Sequence, residues 1–123
     1  MADYTPYMKP GKNPTLTVGA TAVVGGNLVM LSAAKTVIPT TGATNAWIGV
    51  AVQDAAIGAK VHTTSGGIQE LVANGAVAAG ADVGAAAAGK CTTIAAQTAF
   101  QRVGLALTAA AADGDKILVL MDR

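Results

Sequence analysis

The sequence predicts a mainly β, single-domain protein, a small barrel or sandwich built from two tandem β repeats and led by an extended N-terminal arm. Three observations lead there. From Thr15 onward apolar residues recur with period two, the alternation of a strand with one face on a core. Turn-forming residues interrupt that alternation at short intervals, at Gly25-Gly26, Thr41-Gly42, Gly58, Gly66-Gly67, Asn74-Gly75, Gly89 and Asp113-Gly114, so each strand is short. The whole pattern is also written twice, the second copy offset by about 55 residues. Val23 to Val29 (V-V-G-G-N-L-V) answers Val77 to Val83 (V-A-A-G-A-D-V), and Trp47 to Val61 answers Arg102 to Ile117. Gly26 meets Gly80, Lys35 meets Lys90, Gly49 meets Gly104 and Lys60 meets Lys116, with one extra residue between Ala109 and Asp113.

Taken in order, residues 1–14 hold three of the four prolines and both tyrosines. Each proline lacks an N–H and holds its predecessor extended, so this segment is expected to be an irregular or extended arm and no helix. Residues 15–123 form the β domain, with repeat halves at about 15–66 and 67–123. Leu16 and Val18 alternate with threonines. Ile48, Val50 and Val52 alternate with Gly49 and Ala51, as Val103, Leu105 and Leu107 do with Gly104 and Ala106. Ile117, Val119 and Met121 alternate with leucines. Where the second face is Ala, Gly or Leu, both faces are expected to be covered. The runs Ala85 to Ala88 and Ala109 to Ala112 favour helix by composition but are one turn long, the first bounded by Gly84 and Gly89 and the second running into Asp113-Gly114, which predicts loops or single helical turns, with one short helix whose place is not specified.

A chain of 123 residues suits one core, and two repeats are too few for a solenoid. It is 52% hydrophobic but only 3% aromatic, and 28 residues are Ala. Alanine buries little area, so the core is weak and contacts with other chains should matter. The net charge is +1, with lysines and arginines scattered singly. No basic patch is available for a phosphate backbone, which excludes nucleic acid as an expected partner. The charge-free run from Thr17 to Ala34 has the length of a membrane span, yet its glycines and asparagine read as strands and a turn, so no membrane is expected. The opening M-A-D-Y-T-P-Y-M-K-P lacks a charged region followed by an apolar run, and Cys91 is the single cysteine. Both features predict synthesis in a reducing cytoplasm without a secretory leader.

The residues capable of chemistry do not assemble into a centre. His62 is the one histidine and sits two after Lys60 on a predicted strand, where a surface position is expected. Cys91 would need a base beside it to act as a nucleophile, and only His62 is available. Asp113-Gly114-Asp115 resembles a fragment of a calcium loop, but no later acid follows before K-I-L-V-L-M, so a hairpin turn is expected. Gly84 and Gly89-Lys90 match part of a phosphate-binding loop, with Cys91 where the metal-binding hydroxyl belongs. Trp47 opens a repeated strand whose counterpart begins with Arg102, so one of the pair is expected in the core and the other exposed. An exposed Trp47 could instead stack on a ligand. No enzyme, metal or cofactor is expected.

The Y-M-K-P-G opening (Tyr7 to Gly11) with L-T-V after it, the G-G-N-L-V block, W-I-G-V-A-V-Q-D-A-A-I-G, G-G-I-Q-E-L and V-G-L-A-L-T-A-A-A all resemble one family. It is that of the small tailed-bacteriophage proteins that decorate and stabilise the capsid head, and the likeness spans nearly the whole chain. The resemblance implies a structural protein on the virion exterior that binds the major capsid protein of the assembled shell and stabilises it. Capsid lattices offer three-fold and quasi-three-fold positions, so a homotrimer is the expected state. Tyr4, Pro6, Tyr7, Met8, Lys9, Pro10 and Lys12 are the candidate capsid-binding residues, an arm able to add a strand to an exposed sheet edge. The alternative is a small β module that binds a glycan or other ligand on a virion.

Overall fold

The computed structural model describes residues 14–94 and 101–122. Ten strands account for the regular structure: β1 Thr15–Val18, β2 Leu28–Ala33, β3 Thr36–Pro39, β4 Trp47–Ala51, β5 Lys60–Thr64, β6 Ile68–Val72, β7 Asp82–Ala85, β8 Cys91–Thr93, β9 Arg102–Ala106 and β10 Lys116–Met121. Among the described residues there is no α-helix. Ala85 ends β7, and the rest of the two alanine runs lies in turns, loops and isolated bridges.

The halves share one winding. β1 to β5 close into a barrel in the order β1-β3-β2-β4-β5, and β6 to β10 form a five-stranded sheet in the order β6-β10-β9-β7-β8. Read from the first strand of each half, the two orders are the same. In the barrel, β1 closes on β3 by parallel pairing of Thr17 with Thr36 and Val18 with Val37. In the second sheet the corresponding edge is met by a single parallel bridge from Ala73 to Cys91. The bridge Val23–Ala55 recurs as Val77–Ala110.

Two details of the sequence alignment change. The hairpin pairs Leu31–Val37 and Ala85–Cys91 are equivalent, which places Lys35 opposite Gly89 and not Lys90. Their backbones agree, at φ +52° for Lys35 and +73° for Gly89. Matching lysines misled where turn geometry decides. The second change concerns faces. β4 carries a register shift between Val29 and Met30 of its partner, and β9 carries the matching one between Val83 and Gly84. Such a bulge moves later residues to the other face. Ile48 therefore packs inside the barrel, Val50 joins the other core cluster, and Val52 is exposed.

The glycines at these bulges are equivalent too. A Cβ on Gly49 would meet the carbonyl of Thr64, and one on Gly104 the carbonyl of Leu120. Both positions let the neighbouring strand lie against bare backbone.

Two apolar clusters fill the molecule. Val18, Val23, Val29, Val37, Ala51 and Val61 fill the barrel. Leu71, Val83, Cys91, Val103, Ile117 and Val119 belong to the second cluster, which also takes in Leu28, Trp47 and Val50 from the outer face of the barrel. The seam between the halves is thus continuous with the core of the second sheet.

Candidate functional site

The seam is built from the start of β2, the residue after β3 and the turn between β7 and β8. Leu28 donates its N–H to the Gly89 carbonyl at 2.8 Å, and Gly89 donates to the Thr40 carbonyl at 3.1 Å. The buried Thr40 hydroxyl donates to the Ala86 carbonyl at 2.7 Å. Gly89 is required here, because a Cβ would lie 2.6 Å from the Cβ of Asn27. Trp47 lies at this seam with no exposed surface, which overturns its reading as a ligand-stacking residue. Arg102, its counterpart, is half-exposed and pairs with Asp82 at 3.0 Å and Asp122 at 3.2 Å. The division into one core and one surface residue is as the sequence predicts.

The residues with chemical potential are dispersed. His62 is exposed on β5, and its Nδ1 lies 2.7 Å from the Thr15 hydroxyl. Cys91 is buried in the core of the second half, and desolvation pushes its thiol up from 9.0 to about 11, slightly offset by a backbone hydrogen bond. It is an inert core residue. Gly84 to Thr92 forms a strand, a turn and a strand, with Cys91 and Thr92 themselves in β8 where a phosphate-binding loop would open a helix, so the partial phosphate-loop match is a hairpin. Asp113-Gly114-Asp115 is also a turn. The Asp115 carboxylate accepts from the N–H groups of Ala111 and Ala112, and Asp113 pairs with Lys90 at 3.0 Å. Among the described residues no three His, Cys, Asp or Glu side chains gather at one place, and no pocket opens.

The thiol has a measurable consequence. An unfolded chain releases the Cys91 proton near pH 9, whereas the folded chain holds it to about 11. Below pH 9 both states carry the proton and the stabilisation is complete. Between about pH 9 and 11 only the folded state does, so stability falls through that window. Chemical denaturation at pH 8 and pH 11 should show a loss larger in the natural chain than in Cys91→Ala by about 2–3 kcal/mol. In the same folded protein at pH 8, a thiol reagent should leave Cys91 unlabelled until denaturant is added.

The seven arm residues named from the sequence, Tyr4, Pro6, Tyr7, Met8, Lys9, Pro10 and Lys12, lie outside the described residues, as does Phe100. What is described is the anchor point. The carbonyl of Pro14 accepts from the N–H of Thr63 at 3.0 Å and from its hydroxyl at 3.2 Å. Thr15 then pairs with His62. Pro14 thus lies beside β5 at the start of β1.

One surface departs from expectation. Ile117, Val119 and Met121 of β10 are buried as foreseen, but the intervening leucines are not covered. Leu118 is 40% and Leu120 45% exposed, and Ile68 on the adjoining strand is 57% exposed. Period two correctly separates the two faces of β10; it does not say what lies over the outer one.

The phage cement protein family matches residues 8–121. The fold is also similar to the crystal structure of the head fiber gp8.5 N base in bacteriophage phi29, with a TM-score of 0.74, 16% sequence identity, and coverage of 90% of this chain and 93% of that one. No curated protein matches the sequence. With the match extending over nearly all of both β halves, the chain belongs to the phage cement protein family and is a phage structural protein.

Proposed function

We propose that this protein decorates the outer surface of the assembled capsid, as a homotrimer at three-fold and quasi-three-fold positions, and stabilises the shell by binding its major capsid protein. The observation that carries the reading is the family match over residues 8–121. The physics of the chain agrees with it. A core of small residues leaves a modest margin of stability, which association increases because it adds buried area. An apolar sheet face left outside the fold is a surface for such association. The protein is made in the host cytoplasm and joins the capsid exterior.

The arm is the proposed contact to the capsid. Tyr4, Tyr7 and Met8 supply apolar anchors, Lys9 and Lys12 face acidic groups, and Pro6 and Pro10 keep the segment extended for strand addition. In this reading the arm joins the β domain at Pro14, whose carbonyl accepts from the N–H and hydroxyl of Thr63. Deleting residues 2–12 should abolish binding to expanded shells while leaving the circular dichroism and thermal transition of the β domain unchanged. A truncated chain that binds shells as well as the full chain would remove the arm from the interface. The stabilising role is tested separately by heating shells. Expanded shells saturated with the protein should release their contents at a higher temperature than bare shells, and equal release temperatures would contradict it.

A further inference from the structure

The two halves close differently. In the barrel, β1 meets β3 over two consecutive pairs, Thr17–Thr36 and Val18–Val37. The Thr17 N–H donates to the Lys35 carbonyl at 3.0 Å and the Gly19 N–H to the Val37 carbonyl at 2.8 Å. The second half keeps the counterpart of one pair, the isolated bridge Ala73–Cys91, which makes Asn74 the equivalent of Gly19. Its N–H donates to the Cys91 carbonyl at 2.7 Å. The Gly89 carbonyl, equivalent to that of Lys35, instead accepts from Leu28 at the seam. Among the described residues, the bridge to which Asn74 donates is therefore all the backbone pairing between the end of β6 and β8.

Asn74 is also the one asparagine followed by glycine. The side-chain carbonyl carbon of any asparagine lies within reach of the next main-chain nitrogen, and intramolecular attack needs that nitrogen to be free. The four asparagines differ in this respect. Asn13 precedes Pro14, which has no N–H. Leu28, after Asn27, is buried with its N–H on the Gly89 carbonyl at 2.8 Å, and the Asn27 amide itself donates to the Ala88 carbonyl at 3.4 Å. Ala46, after Asn45, donates its N–H to the Thr44 hydroxyl at 3.0 Å. The Gly75 N–H has no partner among the described residues, and nothing lies within 4 Å of where a Cβ would stand. The Asn74 side chain before it is exposed and makes no hydrogen bond to a described residue. Both reacting groups are thus unoccupied at Asn74, and at no other asparagine.

We infer that Asn74 is a self-modification site in the folded chain, and that its conversion opens the bridge between β6 and β8. The Gly75 nitrogen attacks Cγ of Asn74. The Cγ–Nδ2 bond breaks, and the proton given up by Gly75 leaves with the amide nitrogen as ammonia. The product is a cyclic imide, which solvent water opens at either of its carbonyls, returning a proton to the Gly75 nitrogen and leaving a carboxylate. Opening at Cγ gives aspartate; opening at the main-chain carbonyl gives isoaspartate, whose chain runs through Cβ and Cγ. Isoaspartate lengthens the main chain by one C–C bond, about 1.5 Å. The extra length falls between two fixed points, the Asn74 N–H on Cys91 and the Val77–Ala110 pair, bonded at 3.0 and 2.8 Å. The barrel has Gly19-Ala20 at the equivalent place and no amide to react. The reaction needs no partner and is independent of the decoration reading.

Peptide mapping tests the site, because trypsin separates the asparagines: Asn13 and Asn27 fall in Asn13–Lys35, Asn45 in Thr36–Lys60 and Asn74 in Val61–Lys90. Full-length protein is held folded in warm, mildly alkaline buffer, digested and analysed by mass spectrometry. The amide form of Val61–Lys90 should be lost and replaced by two separable peptides of the acid mass, aspartyl and isoaspartyl, while the other two peptides keep their amides. The aged protein should also exchange the main-chain hydrogen of residue 74 faster, with that of Gly19 in the barrel unchanged. Asn74→Asp, which carries the charge without the longer chain, and aged Asn74→Gln should keep the protection of the fresh natural chain. A side-chain amide at Asn74 that survives as long as those of Asn27 and Asn45, or that converts only in denaturant, would overturn the site. Conversion that leaves the main-chain hydrogen of residue 74 as protected as before would overturn its effect on the sheet.

Discussion

Trp47→Ala is expected to lower the stability of the folded chain by about 3–5 kcal/mol, a large share of the roughly 5–15 kcal/mol that holds a domain of this kind together. The size follows from where the side chain sits. Trp47 has no exposed surface and lies between Leu28 and Val50 of the barrel and the apolar cluster of the second half. The surroundings of a deleted core side chain relax only in part, so a cavity cost adds to the lost burial. The loss should also have a location. The Leu28 N–H bonded to Gly89 crosses the seam beside the cavity, and its hydrogen exchange should accelerate more than that of Val61, which is buried inside the barrel. Denaturant unfolding measures the first effect and exchange the second. A destabilisation under about 1 kcal/mol would mean that the halves do not depend on this contact.

Gly104→Val should cost about 3 kcal/mol or more, and even Gly104→Ala should be clearly destabilising. The reason is contact with backbone. A Cβ at Gly104 is directed into the carbonyl of Leu120, with the Val119 side chain also close. A flexible side chain could move aside, but the carbonyl belongs to the β9–β10 ladder and can shift only by disturbing it. Gly42 provides the contrast, since nothing lies within 4 Å of a Cβ there, and Gly42→Ala should leave the thermal transition within error of the natural chain. If Gly104→Val melts with the natural protein, the close approach of β9 and β10 is not a requirement of the fold.

Much of this architecture can be read in the sequence because its signals are local. Alternation in T-L-T-V and K-I-L-V-L-M marks the buried sides of β1 and β10, and glycine pairs mark the turns. The repeat follows from the register of glycines whose backbone it reuses, such as Gly26 and Gly80 at φ +88° and +84°. What escapes is non-local. The closure of β1 on β3 joins strands that are not neighbours in the chain, and no alternation encodes it. A bulge moves Ile48 and Val50 to opposite faces while leaving their spacing at two. The coverage of an outer sheet face is equally hidden, because exposure of Leu118 and Leu120 depends on what is packed over them. For the site, the sequence correctly separates Trp47 from Arg102 and recognises His62, Cys91 and Asp113-Gly114-Asp115 as structural. Its proposed contact residues fall in the arm, whereas the open leucine face shows only in the side-chain exposure of the folded chain.

The most direct test of capsid decoration is co-sedimentation of the purified full-length protein with expanded, undecorated phage shells, with unexpanded shells as the control. The account predicts saturable binding to expanded shells, reaching a plateau at a multiple of three chains per lattice triangle, and little binding to the unexpanded form. Absence of binding to expanded shells at any protein concentration would contradict it.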